Sequence, residues 1–120
     1  ITERDWSSDV CSSDLLDATS SYCVGDTSAA GSYPTGASQY GALDMAGNVL
    51  EWVNDWHDGI YYSSSPYSNP PGPATGTTKV LRGGSWSNRW VNLRAAYRFY
   101  FYPAFVHSDI GFRCASAPGG

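Results

Sequence analysis

The stretch Gly41–Trp56 (GALDMAGNVLEWVNDW) constrains this chain more than any other part of it. Gly, Asn, Asp, Glu and Trp are packed there too densely for a plain helix or a plain alternating strand. Glycine permits backbone conformations other residues avoid, and Asn and Asp side chains compete for nearby backbone groups. The block reads as backbone bent around something. Two shorter blocks follow it in order, Leu81–Trp86 (LRGGSW) and Ile110–Cys114 (IGFRC).

Asp5–Leu15 (DWSSDVCSSDL) coincides letter for letter with one reading frame of a common sequencing-library adapter, the alternative being a polar Ser/Asp loop. Ile1–Leu15 is therefore expected to be an artefact, leaving residues 16–120 to carry the fold. The formal charge of −4 falls to −1 without that segment, which holds four acids and one arginine. Nothing basic then points to nucleic acid. No apolar run approaches the ~18 residues of a membrane span. With the native N-terminus hidden, cytoplasmic and extracytoplasmic bacterial locations both stay open. Cys23 and Cys114 either pair or leave Cys114 as a free, buried thiol.

Along the chain, Leu16–Ala30 and Gly31–Tyr40 read as loop. Asp58–Thr78, with Asn69-Pro-Pro-Gly-Pro73, cannot hold a helix because proline removes donors and fixes φ. It predicts a long surface connection. Lys79–Arg82 predicts a strand stopped by Gly83-Gly84. Leu93–Tyr102 is strand or loop, and Ile110–Ala115 alternates as a half-buried strand does.

The three blocks, in this order, resemble the formylglycine-generating-enzyme family, also called the sulfatase-modifying-factor family, over Gly31–Ala115. The resemblance implies an α+β, C-type-lectin-like fold with low regular structure, a small twisted sheet, and loops fixed by ions and tryptophans. Family domains are considerably longer, so residues 16–120 are expected to be the C-terminal part of a truncated domain.

Calcium takes several oxygen ligands, mixing carboxylates with carbonyls. The resemblance places such ligands at the Asp44 side chain, the Gly47 and Val49 carbonyls and the Glu51 side chain, with Asn48 bracing the loop. The plainer reading is that Asp44 caps a turn and Glu51 pairs with an arginine such as Arg82. Leu50 stands where the family commonly has an aromatic residue. Trp52, Trp56 and Trp86 are expected in the core, since large aromatics supply much buried area. Arg94, Arg98 and Arg113 are expected to fasten the scaffold through carboxylates or carbonyls.

Enzymes of this family that make formylglycine use two cysteines shortly after GGS to bind copper, and soft sulfur suits Cu(I). Here Asn88 and Leu93 occupy those positions, so no copper and no formylglycine chemistry are expected. The family's iron-dependent sulfoxide synthases keep their iron ligands in a separate domain. His57 and His107 form no spaced ligand pair and read as ordinary polar residues. No nucleophile–His–acid arrangement is legible, and Gly83-Gly84 lacks the Lys and following helix of a phosphate loop.

Within Ser87–Asp109, Leu93–Ala96, Arg98 and Pro103-Ala104 look structural. Between them, Ser87, Asn88, Val91, Asn92, Tyr97, Phe99, Tyr100, Phe101, Tyr102, Phe105, Val106, His107, Ser108 and Asp109 can all be encoded by codons ending in C. That set arises when the adenines of an AAC codon are randomised; Trp90 breaks the rule. The layout resembles the variable region of proteins diversified by retroelements, which display mutable faces on lectin-type folds. Tyr-rich, Ser/Asn-flanked surfaces bind at low entropy cost. The competing reading is a two-sided core strand. The sequence thus leads to a non-catalytic, calcium-stabilised domain that binds an unknown protein or small molecule. Its face is formed by Ser87, Asn88, Trp90, Tyr97, Phe99–Tyr102, Phe105 and His107. A fragment of a family enzyme that shapes a substrate tunnel, or an accessory domain attached to a kinase or secretion protein, are the alternatives.

Overall fold

The computed structural model describes residues 26–116. The adapter-like segment Ile1–Leu15 and Cys23 lie outside the described residues. Among the described residues four strands form one mixed sheet: β1 (Leu50–Trp56), β2 (Lys79–Arg82), β3 (Phe99–Phe101) and β4 (Ile110–Gly111). Their order is β3-β2-β1-β4. Among the described residues, helix is confined to three 3₁₀ turns at Pro34–Gly36, Tyr61–Ser63 and Trp90–Asn92. Proline at the start of the first suits its fixed φ.

β1 and β2 run antiparallel, pairing Glu51 with Arg82 and Trp52 with Leu81, and the register slips before Trp56 meets Lys79. Such a slip bends a strand and increases its twist. β2 also pairs antiparallel with β3, setting Lys79, Val80 and Leu81 against Phe101, Tyr100 and Phe99. β4 joins β1 in parallel at Leu50–Ile110 and Glu51–Gly111.

Among the described residues the buried apolar core is small: Leu50, Val80 and Leu81 at 4%, 1% and 0% exposure. Val80 and Leu81 are adjacent in a strand, so their side chains leave opposite faces. Both faces of β2 are therefore covered. Lys79–Arg82 forms the expected strand, and residues 83 and 84 end it with φ of +86° and +68°, the left-handed region that glycine tolerates.

Several expectations need correction. The dense block bends only over its first half, where Gly41, Asp44, Gly47 and Asn48 all have positive φ. Its second half is β1, because Leu50–Trp56 can ladder with β2. Trp52, Trp56 and Trp86 are half-buried. The buried apolar side chains among the described residues are aliphatic. Trp56 instead presents its ring to Lys79, whose Nζ lies 4.0 Å from the ring centroid. The alternation in Ile110–Ala115 stops after two residues. Phe112 is 76% exposed, and Cys114 is exposed and free rather than buried.

Candidate functional site

Two candidate sites are built on this sheet. The first lies where the bent half of the motif meets Arg113. Gly47 donates its N–H to the Gly83 carbonyl at 2.8 Å, and Trp86 N–H reaches the Asn48 carbonyl at 2.9 Å. The GGSW turn is thereby clamped onto the motif. Asn48 accepts from Ser28 N–H at 3.1 Å and donates to the Ser28 carbonyl at 3.3 Å. Asp44 Oδ2 accepts from Gly31 N–H at 2.8 Å.

Arg113 grips Glu51 with a fork, Nε to Oε2 at 2.6 Å and Nη2 to Oε1 at 2.5 Å. It also donates to the Leu43 and Asp44 carbonyls at 2.8 and 2.7 Å. The hydrogen bonds to Glu51 raise the pKa of the guanidinium, its burial opposes this, and the charges of Glu51 and Asp44 add to the rise. Such bidentate pairs combine strength with fixed geometry. Glu51 thus pairs with Arg113 rather than with Arg82. Arg82 turns the other way and donates to the Ala95 carbonyl.

The oxygens here are of the hard kind that calcium takes. Among the described residues no three His, Cys, Asp or Glu side chains cluster around a point, so a cation would rely on carbonyls such as those of Gly47 and Val49. Both Glu51 oxygens already accept from Arg113. Each keeps a second lone pair, through which a cation would share the carboxylate with the guanidinium.

The second site runs from the GGSW turn to β3. Asp109, 7% exposed, receives three side chains. The Ser85 and Ser87 hydroxyls donate to Oδ2 at 2.9 and 2.7 Å, and His107 Nδ1 lies 2.5 Å from Oδ1. Burial pushes the Asp109 pKa up. The hydrogen bonds from Ser87, His107 and Ser85, with the charge of His107, outweigh burial and hold the carboxyl below its ordinary value. Because Asp109 is a carboxylate it accepts only, so Nδ1 of His107 carries a proton and donates it to this bond. Ser, His and Asp therefore do meet here, a grouping not legible from their spacing. Both hydroxyls point to the acid rather than to the imidazole, so neither is a nucleophile activated by His107.

From this root an aromatic ladder rises. His107 and Phe105 have ring centroids 5.9 Å apart with planes within 7°, and Phe105 stacks on Phe101 at 3.8 Å. Phe99 lies 6.2 Å beyond Phe101. Tyr100 leaves the opposite face of β3 and stacks on His57 at 3.8 Å. His57 is thus a packing partner for the face, which its sequence context did not suggest. Phe99, Tyr100 and Tyr102 are 36%, 48% and 63% exposed, while Phe101, Phe105 and Tyr97 are half-buried.

Other expected face residues turn inward. Ser87 is committed to Asp109, and Asn88 Oδ1 accepts from Ser85 N–H at 3.1 Å. A Cβ on Gly84 would come within 2.5 Å of Leu93 Cδ2. Asn88 and Leu93 thus both brace the Gly84-Ser85 turn. Trp90 begins a 3₁₀ turn beside them. Arg94 donates to the Val91 carbonyl at 2.8 Å, and Arg98 to the Tyr62 hydroxyl at 2.8 Å.

A small mixed sheet with loop-built sites at its ends defines a lectin-like domain of the sulfatase-modifying type. The family described as Sulfatase-modifying factor enzyme 1-like domain matches residues 4–118, and the chain belongs to it. It is 41% identical over 107 residues to a serine/threonine-protein kinase, pkn1, of Chlamydia caviae, covering 88% of this chain and 17% of the kinase. It is 42% identical over 83 residues to a formylglycine-generating enzyme of Streptomyces coelicolor, covering 64% of this chain and 26% of the enzyme. The solved structure of Treponema denticola variable protein 1 superposes with a TM-score of 0.68 at 34% identity, over 83% of this chain and 36% of that one. The chain thus spans about a sixth to a quarter of these curated relatives.

Proposed function

We propose that this chain is a non-catalytic ligand-binding domain, stabilised by calcium at Asp44–Glu51, whose binding surface is the aromatic face of β3 and the segment after it. The observation that carries the reading is the exposure of Phe99, Tyr100 and Tyr102 at a sheet edge whose neighbouring strand buries Val80 and Leu81. Large aromatics left in water beside a satisfied core are a docking surface in waiting, and tyrosine binds with little entropy to lose. The use of Asn88 and Leu93 as braces supports a domain without the thiolate chemistry of the family's enzymes. Likeness to a structure named a variable protein supports a face diversified by a retroelement.

A peptide library selected against the 120-residue chain tests this. Selected peptides should lose binding on Tyr100→Ser with Tyr102→Ser, while the fold stays within about 1 kcal/mol of the parent. Unfolding of the double variant, or no peptide enriched above a control surface, refutes the reading.

A second reading draws on the 88% of this chain that aligns with the chlamydial kinase: an accessory module of a larger protein. It predicts the same fold with no selectable ligand.

A further inference from the structure

The ladder at the second site ends in an unusual way. Its last ring, His107, is an imidazole whose side chain is 55% exposed, rooted on a carboxylate whose side chain is 10% exposed. In the neutral imidazole, Nδ1–H held inward by Asp109 leaves Nε2, on the far side of this exposed ring, as the acceptor. A buried carboxylate behind Nδ1–H also makes the far nitrogen a better acceptor. The two serine hydroxyls saturate the other oxygen of Asp109, so the carboxylate is fixed in place and the ring orientation with it.

We infer that the exposed Nε2 edge of His107, at the open end of the Phe101–Phe105–His107 stack, accepts a hydrogen bond from a partner's aromatic side chain that carries its own donor, a tyrosine or tryptophan. The inference rests on the binding-face reading above and names the chemistry of its ligand. Phe101 and Phe105 are already stacked at 3.8 Å, which leaves no room for a ring between them. An incoming ring extends the ladder at its histidine end, where offset stacking is available. A ring without a donor covers Nε2 and leaves it unpaired, which costs binding. A metal ion finds no second and third ligand, since no such cluster exists among the described residues.

The test uses nitrogen-15 NMR of the 120-residue chain at about pH 8, above the ordinary range for imidazole protonation, titrated with N-acetyl-tyrosinamide and with N-acetyl-phenylalaninamide. The tyrosine amide should shift the His107 Nε2 resonance and bind about fivefold more tightly, the size of one net hydrogen bond. His107→Phe keeps the ring and should abolish that preference while phenylalaninamide still binds. His107→Gln should retain part of it. Equal binding of the two amides, a preference that survives His107→Phe, or no shift with either amide overturns the inference. Should His107→Phe fail to fold, the Nε2 shift and the two affinities of the parent chain still decide. Peptides selected through Tyr100 and Tyr102 that ignore His107 would overturn this inference alone, whereas failure to select any peptide would overturn the binding face itself.

Discussion

Asp109 shows how one residue is repaid for its burial. At 7% exposure its charge loses solvation, and three donors replace the lost water. Since its folded pKa lies below the unfolded value of ~3.9, the group stabilises the fold fully above that value. The contribution is lost as the pH falls from about 4 through the depressed folded value. Urea denaturation at about pH 6 and about pH 3 should show a drop in stability that is smaller in Asp109→Asn. An equal drop in both proteins would mean that other carboxylates carry the acid sensitivity. Ser85, Ser87 and His107 were each visible as polar residues, but their convergence spans 24 positions of chain and no local pattern announces it.

At the scale of the element, β2 and β4 make the contrast. β2 was legible because Lys79–Arg82 carries β-branched and aliphatic residues between turn-forming segments, with Gly83-Gly84 as its stop. β4 looked equally good on alternation, yet it lies at the sheet edge and pairs only at Leu50–Ile110 and Glu51–Gly111. Alternation reports which residues could face a core, and Phe112 has no core to face. Leu81→Ala should cost about 2–5 kcal/mol, as for other fully buried leucines, whereas Phe112→Ala should change stability by less than about 0.5 kcal/mol. Chemical denaturation of the two variants checks this, and comparable losses would mean that β4 packs more tightly than its exposure indicates.

At the scale of the molecule, the few buried apolar side chains among the described residues share the work with clamped loops. Arg113 ties β4's end to Glu51 on β1 and to the Leu43 and Asp44 carbonyls of the bent motif. Calcium held by Asp44, Gly47, Val49 and Glu51 would lock the same loop, and a ligand that binds only the folded state raises its stability. The melting temperature should therefore rise with calcium and fall with a chelator, and Glu51→Ala should remove that dependence. A melting temperature indifferent to calcium in the parent chain would leave Arg113 as the sole cation of the site.

By itself the sequence determined the family, the low content of regular structure, the β2 strand, and a bent motif. These are set by local backbone demands, above all glycines and Asn or Asp at positive φ, and by motifs long enough to be specific. Only the tertiary structure decided which arginine Glu51 meets, that the tryptophans sit half-buried around an aliphatic core, and that Ser85, Ser87 and His107 share Asp109. Those outcomes depend on which strand lies at an edge and on contacts between residues far apart in the chain, 62 positions for Glu51 and Arg113. Such contacts are fixed by packing in space, which residue types and their periods do not encode.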